Sequence, residues 1–244
     1  MIEFKNVSKS FVEDKKSVDN LNFTVKNGEI FGFLGPNGAG KTTTIKMLTG
    51  ILDMDEGGDI LIDGKSIRKS PIEAKMNFGY IPDSPDVFLK LKGIEYLNFI
   101  ADVYKVPKDI RKNKIESLSK KFEIYDNLNS QIQSYSHGMR QKLMIISVLL
   151  HNPKNWILDE PLTGLDPKSS YDLKEMMKEH KENGNVVFFS THVLEVAEKL
   201  CDRIGIINKG KLLFVGTFDE MQTKLKENAS LEKLFLEITE KSDK

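Results

Sequence analysis

One stretch constrains this chain more than any other: GPNGAGKTT, Gly35 to Thr43. The short apolar run EIFGFL precedes it, and TTIKMLTGIL, with helical apolar spacing, follows. Strand, glycine-rich turn and helix is the setting in which G-x-x-x-x-G-K-[ST] forms a phosphate-binding loop. Gly35, Gly38 and Gly40 reach backbone angles closed to other residues and carry no Cβ to crowd a ligand. Pro36 stiffens the entry, and successive N–H groups turn inward at a helix N-terminus whose dipole already favours anions. Lys41 places an ammonium near the β- and γ-phosphates, and the Thr42 hydroxyl is a hard oxygen ligand for Mg²⁺. The bland reading, an ordinary turn with three glycines, does not account for both flanks. The chain is expected to bind a nucleoside triphosphate.

Composition matters mainly for what it excludes. Lys plus Arg and Asp plus Glu balance at 36 each, so no global field points to nucleic acid or an anionic membrane surface. A single cysteine, Cys201, rules out an internal disulfide framework and reads as a buried small apolar residue. The first residues, MIEFKNVSKSF, lack a signal pattern, and LMIISVLL is too short to span a bilayer. A role at a membrane therefore needs another chain to cross it.

Strands are expected at Ile2 to Val7 and Leu21 to Val25, joined by a polar connection, SKSFVEDKKSV, that carries Phe11. Phe11 reads either as a surface plug or as an aromatic that stacks on a nucleotide base. Further strands are expected at Ile60 to Ile62, before an Asp63-Gly64 turn, and at NFGYIP. From about residue 86 to 150 the apolar spacing turns helical, which reads as an inserted helical subdomain. KNWILD and GNVVFFS then return as compact apolar runs typical of parallel strands covered on both faces. A crossover helix stopped near Gly184 links them, and a hairpin around Lys209-Gly210 follows.

WILDEP ends an apolar strand in two carboxylates. With that strand set beside the phosphate-loop strand, Asp159 meets the Mg²⁺ shell and Glu160 polarises an attacking water. The bland reading is a wet, acidic strand end. His192, just past VVFFS, reads as a surface histidine or as a ring facing the same sheet edge. SYSHGMRQK opens an apolar helix, with Ser136 as its N-cap and a second anion site in the following N–H groups. In the tail, Leu231, Leu234, Phe235 and Ile238 recur at helical spacing, either packed on their own domain or forming an interface.

Taken in order, GPNGAGKTT, YSHGM, WILDEP, GLD and STH resemble the Walker A, signature, Walker B, D-loop and switch-histidine motifs of ATP-binding cassette (ABC) transporter ATPases. The resemblance implies an α/β fold: a P-loop NTPase core with a mainly parallel sheet, an antiparallel β base and the inserted helical subdomain. It spans residues 1–216, leaving 217–244 as a C-terminal helical extension. It implies ATP bound by Phe11, Gly35, Pro36, Asn37, Gly38, Ala39, Gly40, Lys41, Thr42 and Thr43, with Mg²⁺ held by Thr42, Asp159 and Asp83. Lys41, Glu160 and His192 are the implied catalytic residues. Ser136, His137 and Gly138 are implied to contact the ATP of a partner subunit, and Asp166 to cross the dimer interface. Two departures stand out: His137 and Met139 replace the usual Gly and Gln of the signature, and Asp83 replaces a glutamine. The implied function is ATP hydrolysis by a homodimer or heterodimer at the cytoplasmic face of the membrane, driving a separate permease, as in bacterial exporters. The permease contact is implied near Asp83 to Leu91, and no nucleic acid is expected. The rivals are a non-transport member of the family and a nucleotide-gated subunit that hydrolyses poorly.

Overall fold

The computed structural model describes every residue except 13–14, 86–87, 226–229 and 242–244. The expected start of the helical insert at about residue 86 and parts of the C-terminal extension lie outside the described residues. The strands are β1 (Ile2–Val12), β2 (Lys15–Val25), β3 (Ile30–Leu34), β4 (Asp59–Ile62), β5 (Lys65–Ser66), β6 (Phe78–Ile81), β7 (Asn155–Asp159), β8 (Val186–Thr191), β9 (Arg203–Asn208) and β10 (Lys211–Gly216). The helices are α1 (Lys41–Leu48), α2 (Pro71–Lys75), α3 (Gly93–Val103), α4 (Lys108–Lys121), α5 (His137–His151), α6 (Pro167–Glu182), α7 (Leu194–Leu200), α8 (Phe218–Leu225) and α9 (Leu231–Lys241).

Among the described residues the strands form two sheets, an antiparallel one in the order β2-β1-β4-β5 and a larger one in the order β10-β9-β3-β8-β7-β6. In the larger sheet β9, β3, β8, β7 and β6 run parallel, and only β10 is antiparallel. Each residue of β3, β7 and β8 is buried, which explains their continuous apolar runs. Five phenylalanines join the two sheets. Phe4 and Phe23 stack at 4.2 Å on the antiparallel side, and Phe23 meets Phe31 at 5.5 Å on the parallel side. Phe33 and Phe188 complete the cluster, with ring centroids 5.5 Å apart.

Two local expectations change. The polar connection after Val7 is instead ladder: β1 and β2 pair antiparallel from Ile2↔Val25 to Val12↔Lys15, with register shifts along the way. Backbone pairing satisfies N–H and C=O groups whatever the side chains, so a wet hairpin can be polar. Asn6 and Asn20, both with φ of 51°, take the left-handed turns that such irregularities need. The second change is strand order. β7 does not lie beside β3, because β8 runs between them and pairs with both.

Between β6 and β7 lie α3, α4 and α5, which share one apolar cluster with β7, α6 and β8. At the chain's other end Leu231 and Leu234 of α9 are fully buried against Ala197, Ile206 and Phe214, so this helix packs on its own domain. Cys201 is partly buried between two apolar clusters, and burial holds its thiol well above the ordinary range. Gly32 leaves the space it fills, since a Cβ there would lie 2.6 Å from Sγ.

Candidate functional site

In a parallel sheet the strand ends that carry C-terminal loops lie side by side, and ligands bind in the crevice they form. Here β3 delivers the phosphate loop, β8 delivers Ser190, Thr191 and His192, and β7 delivers Asp159 and Glu160. A cleft of about 550 Å³ opens at this edge. Pro36, Asn37, Gly38, Gly40, Lys41, Thr42 and Thr43 line it, facing Asp83 and Glu160.

The loop is built on backbone contacts. Gly40, with φ of 110°, caps α1, and a Cβ there would lie 2.8 Å from the Ser17 carbonyl oxygen. Ala39 is buried beneath the loop, and its carbonyl accepts from the Gly210 N–H at 2.9 Å. Gly210 in turn accepts from the Asp19 N–H at 2.8 Å, so the β9–β10 turn ties the loop to β2. That tie brings Lys15, Lys16, Ser17 and Lys209 to the cleft wall. Sequence reading missed all four, because nothing in their local pattern points to the loop.

Lys41 Nζ donates to the carbonyls of Gly35, at 2.6 Å, and Pro36, at 3.3 Å. Burial lowers its pKa, while the charges of Glu160, Asp159 and Asp83 oppose that shift. Asp159 is 1% exposed, and burial raises its pKa, opposed mainly by the hydrogen bond from Ser190. Its Oδ1 accepts from Ser190 Oγ at 2.6 Å, whereas Oδ2 is buried with no partner in the chain. A buried carboxylate oxygen without a donor, on a carboxyl within the influence of the Thr42 hydroxyl, suits a hard cation such as Mg²⁺. Among the described residues no three His, Cys, Asp or Glu side chains form a metal cluster. That suits a cation that keeps several of its own waters and binds through one or two carboxylates.

Glu160 adopts a φ of 48°, left-handed for a residue with a Cβ. Its N–H donates to Ser190 Oγ at 3.0 Å, and its Oε1 lies 3.0 Å from His192 Nδ1. Two residues at the end of β8 thus hold the glutamate at both ends. Ser190 is the participant that sequence reading passed over; the STH signal contained it, but only the histidine drew attention.

The remaining site residues lie elsewhere. Ser136 Oγ accepts from the Met139 N–H at 3.2 Å and caps α5, with Ser136 and His137 exposed. Gly138 fits against Gly164, where a Cβ would meet the Gly164 carbonyl oxygen at 2.7 Å. Asp166 caps α6 through the Ser169 N–H at 2.9 Å and pairs with Lys142 at 2.7 Å. Those contacts hold its carboxyl well below the usual carboxylate range. None of Ser136, His137, Gly138 and Asp166 lines the phosphate-loop cleft of the same chain. Phe11 stands on β1, 60% exposed, with Lys9 Nζ 5.7 Å from its ring centroid, and is not among the cleft-lining residues.

Comparison with known proteins fits this geometry. The ABC transporter family pattern matches residues 18–163. An uncharacterized ABC transporter ATP-binding protein of Bacillus subtilis, YhcH, is 41% identical over 87% of this chain and 68% of its own length. The linearmycin resistance ATP-binding protein LnrL of the same organism is 34% identical over 92% of this chain and 72% of its own. A solved ATP-binding subunit of an ABC transporter superposes with a TM-score of 0.92 at 33% identity, covering 98% of this chain and 99% of that one. The chain belongs to the ABC transporter family, as an ATP-binding subunit built on the P-loop fold.

Proposed function

We propose that this subunit hydrolyses ATP to ADP and phosphate as a dimer, and that closure and reopening of the dimer drive a separate membrane permease in export. The observation that carries the reading is the Glu160 carboxylate, held by His192 at the lip of the phosphate-loop cleft. Within that reading the N–H groups of residues 37–43 and Lys41 hold the phosphates. Thr42 and Asp159 take the metal, with Asp83 across the cleft as a further carboxylate. When bound, Mg²⁺ neutralises charge on the β- and γ-phosphate oxygens. Glu160 accepts the proton of the attacking water, and His192 orients the carboxylate.

The dimer reading rests on the second anion site. Ser136 and His137 are exposed at the N-terminus of α5, away from their own chain's cleft, and a partner's γ-phosphate would meet them there. No described helix is long and apolar enough to cross a membrane, and in this reading the permease is a separate chain. The cytoplasmic face of the membrane is then the place of work. LnrL, a relative named for linearmycin resistance, supports the export direction. The test is phosphate release from ATP by the purified protein, with and without Mg²⁺, followed by co-purification from membranes. Absence of Mg²⁺-dependent release overturns hydrolysis, and a membrane partner with no permease character overturns transport.

A further inference from the structure

Ser190 is fully buried at the end of β8, the strand that separates the phosphate-loop strand from the one bearing the carboxylates. A hydroxyl offers one donor, and here it is committed to Asp159 Oδ1 at 2.6 Å. The same oxygen accepts the Glu160 N–H at 3.0 Å. Ser190 therefore bridges the two adjacent acidic residues, one through its carboxylate and the other through its backbone. The bridge has two geometric consequences. It engages one Asp159 oxygen and leaves the other, Oδ2, buried without a hydrogen-bond partner in the chain, on a carboxylate that the Thr42 hydroxyl also influences. It also anchors the amide of a residue whose φ of 48° places it in a sparsely populated conformation.

We infer that Ser190 is a positioning residue that presents Asp159 Oδ2 to the metal of the bound nucleotide and fixes the turn at Glu160. The inference rests on the metal reading of Asp159 given above. Outer hydrogen-bond partners of metal ligands commonly matter about as much as the ligands' own orientation requires, and losing one typically costs 10- to 100-fold in metal affinity or activity. The position tolerates few alternatives: alanine removes donor and acceptor together, whereas threonine keeps the hydroxyl and has the β-branching strands accept.

The test reads binding as well as turnover. Mant-ATP affinity is measured by fluorescence in EDTA and across a Mg²⁺ titration for wild type, Ser190→Ala, Ser190→Thr and Asp159→Asn. Ser190→Ala is expected to bind mant-ATP normally in EDTA, because the phosphate loop is untouched. Its midpoint for Mg²⁺ should rise about tenfold or more, and its turnover should stay low even at saturating Mg²⁺ because the Glu160 anchor is lost. Ser190→Thr should restore most of the Mg²⁺ response. An unchanged Mg²⁺ midpoint in Ser190→Ala overturns the inference. So does an equal loss of affinity in EDTA, or an equal shift in the alanine and threonine variants, since either makes Ser190 a packing residue. Asp159→Asn separates this outcome from failure of the metal reading itself. If it leaves the Mg²⁺ response intact, both are overturned. If it abolishes the response while Ser190→Ala does not, only the role of Ser190 falls.

Discussion

Replacing Glu160 by glutamine separates proton acceptance from everything else the residue does. The side chain is 15% exposed and its Oε1 lies 3.0 Å from His192 Nδ1. Glutamine has the same shape and can keep that hydrogen bond with either of its terminal atoms. The Glu160 N–H to Ser190 bond belongs to the backbone and is retained. What disappears is one basic oxygen and one negative charge. Loss of a positioned general base typically lowers turnover by about 10² to 10⁴, equivalent to about 3–5 kcal/mol in the barrier. ATP affinity should hold or tighten, because Glu160 is the foremost of the three carboxylates whose charge acts on Lys41 and would repel a polyphosphate there. Phosphate release, mant-ATP titration and size-exclusion chromatography with MgATP read the three quantities. The expected result is slow release, intact binding and a dimer that persists in ATP. Turnover near the wild-type level would refute the role of Glu160, and turnover lost together with ATP binding would show a damaged fold instead.

Two further predictions follow from particular contacts. Ser136→Arg should leave nucleotide binding by the monomer nearly intact while abolishing dimer closure, whereas Lys41→Ala should fail at binding or phosphate positioning. Mixed, the two variants share one intact composite site and should recover some ATP-dependent dimerisation. Loss of monomer binding in Ser136→Arg as severe as in Lys41→Ala refutes the head-to-tail arrangement. At the far end of the sheet, His180 stacks on Trp156 with ring centroids 4.1 Å apart, and burial lowers its pKa to about 4 from 6.5. Between those values the unfolded imidazole is protonated and the folded one is neutral, so the unfolded state binds more protons and stability rises with pH. Acidification from pH 6.5 to 4 should withdraw about 3 kcal/mol through this group. Denaturant titrations across that window should give a flatter profile for His180→Phe, which keeps an aromatic ring on Trp156; parallel profiles would sink the assignment.

Much of this protein is decided by local chemistry that the sequence displays. Gly35 to Thr43 cannot follow a buried strand and open a helix without lining up N–H groups, because only glycine reaches a φ such as the 110° at Gly40. Ser136 and Asp166 cap helices α5 and α6 through short-range bonds that a single chain segment contains. The compact runs of β3, β7 and β8 announce strands covered on both faces.

The order of those strands is another matter. Nothing within WILDE or VVFFS says which of them lies beside the phosphate loop, since each satisfies the same pairing and the same burial. Tertiary structure placed β8 in the middle, and so made Ser190, a small polar residue with no motif of its own, the link between Asp159 and Glu160. It likewise brought Lys15, Lys16 and Lys209 to the cleft through the backbone tie between Ala39 and Gly210. A polar run after Val7 became ladder because hydrogen-bonded backbone does not depend on side-chain polarity. Motifs therefore reveal the groups that chemistry needs in one conformation, while the neighbours that orient them are settled by long-range pairing, which leaves no periodic trace in the chain.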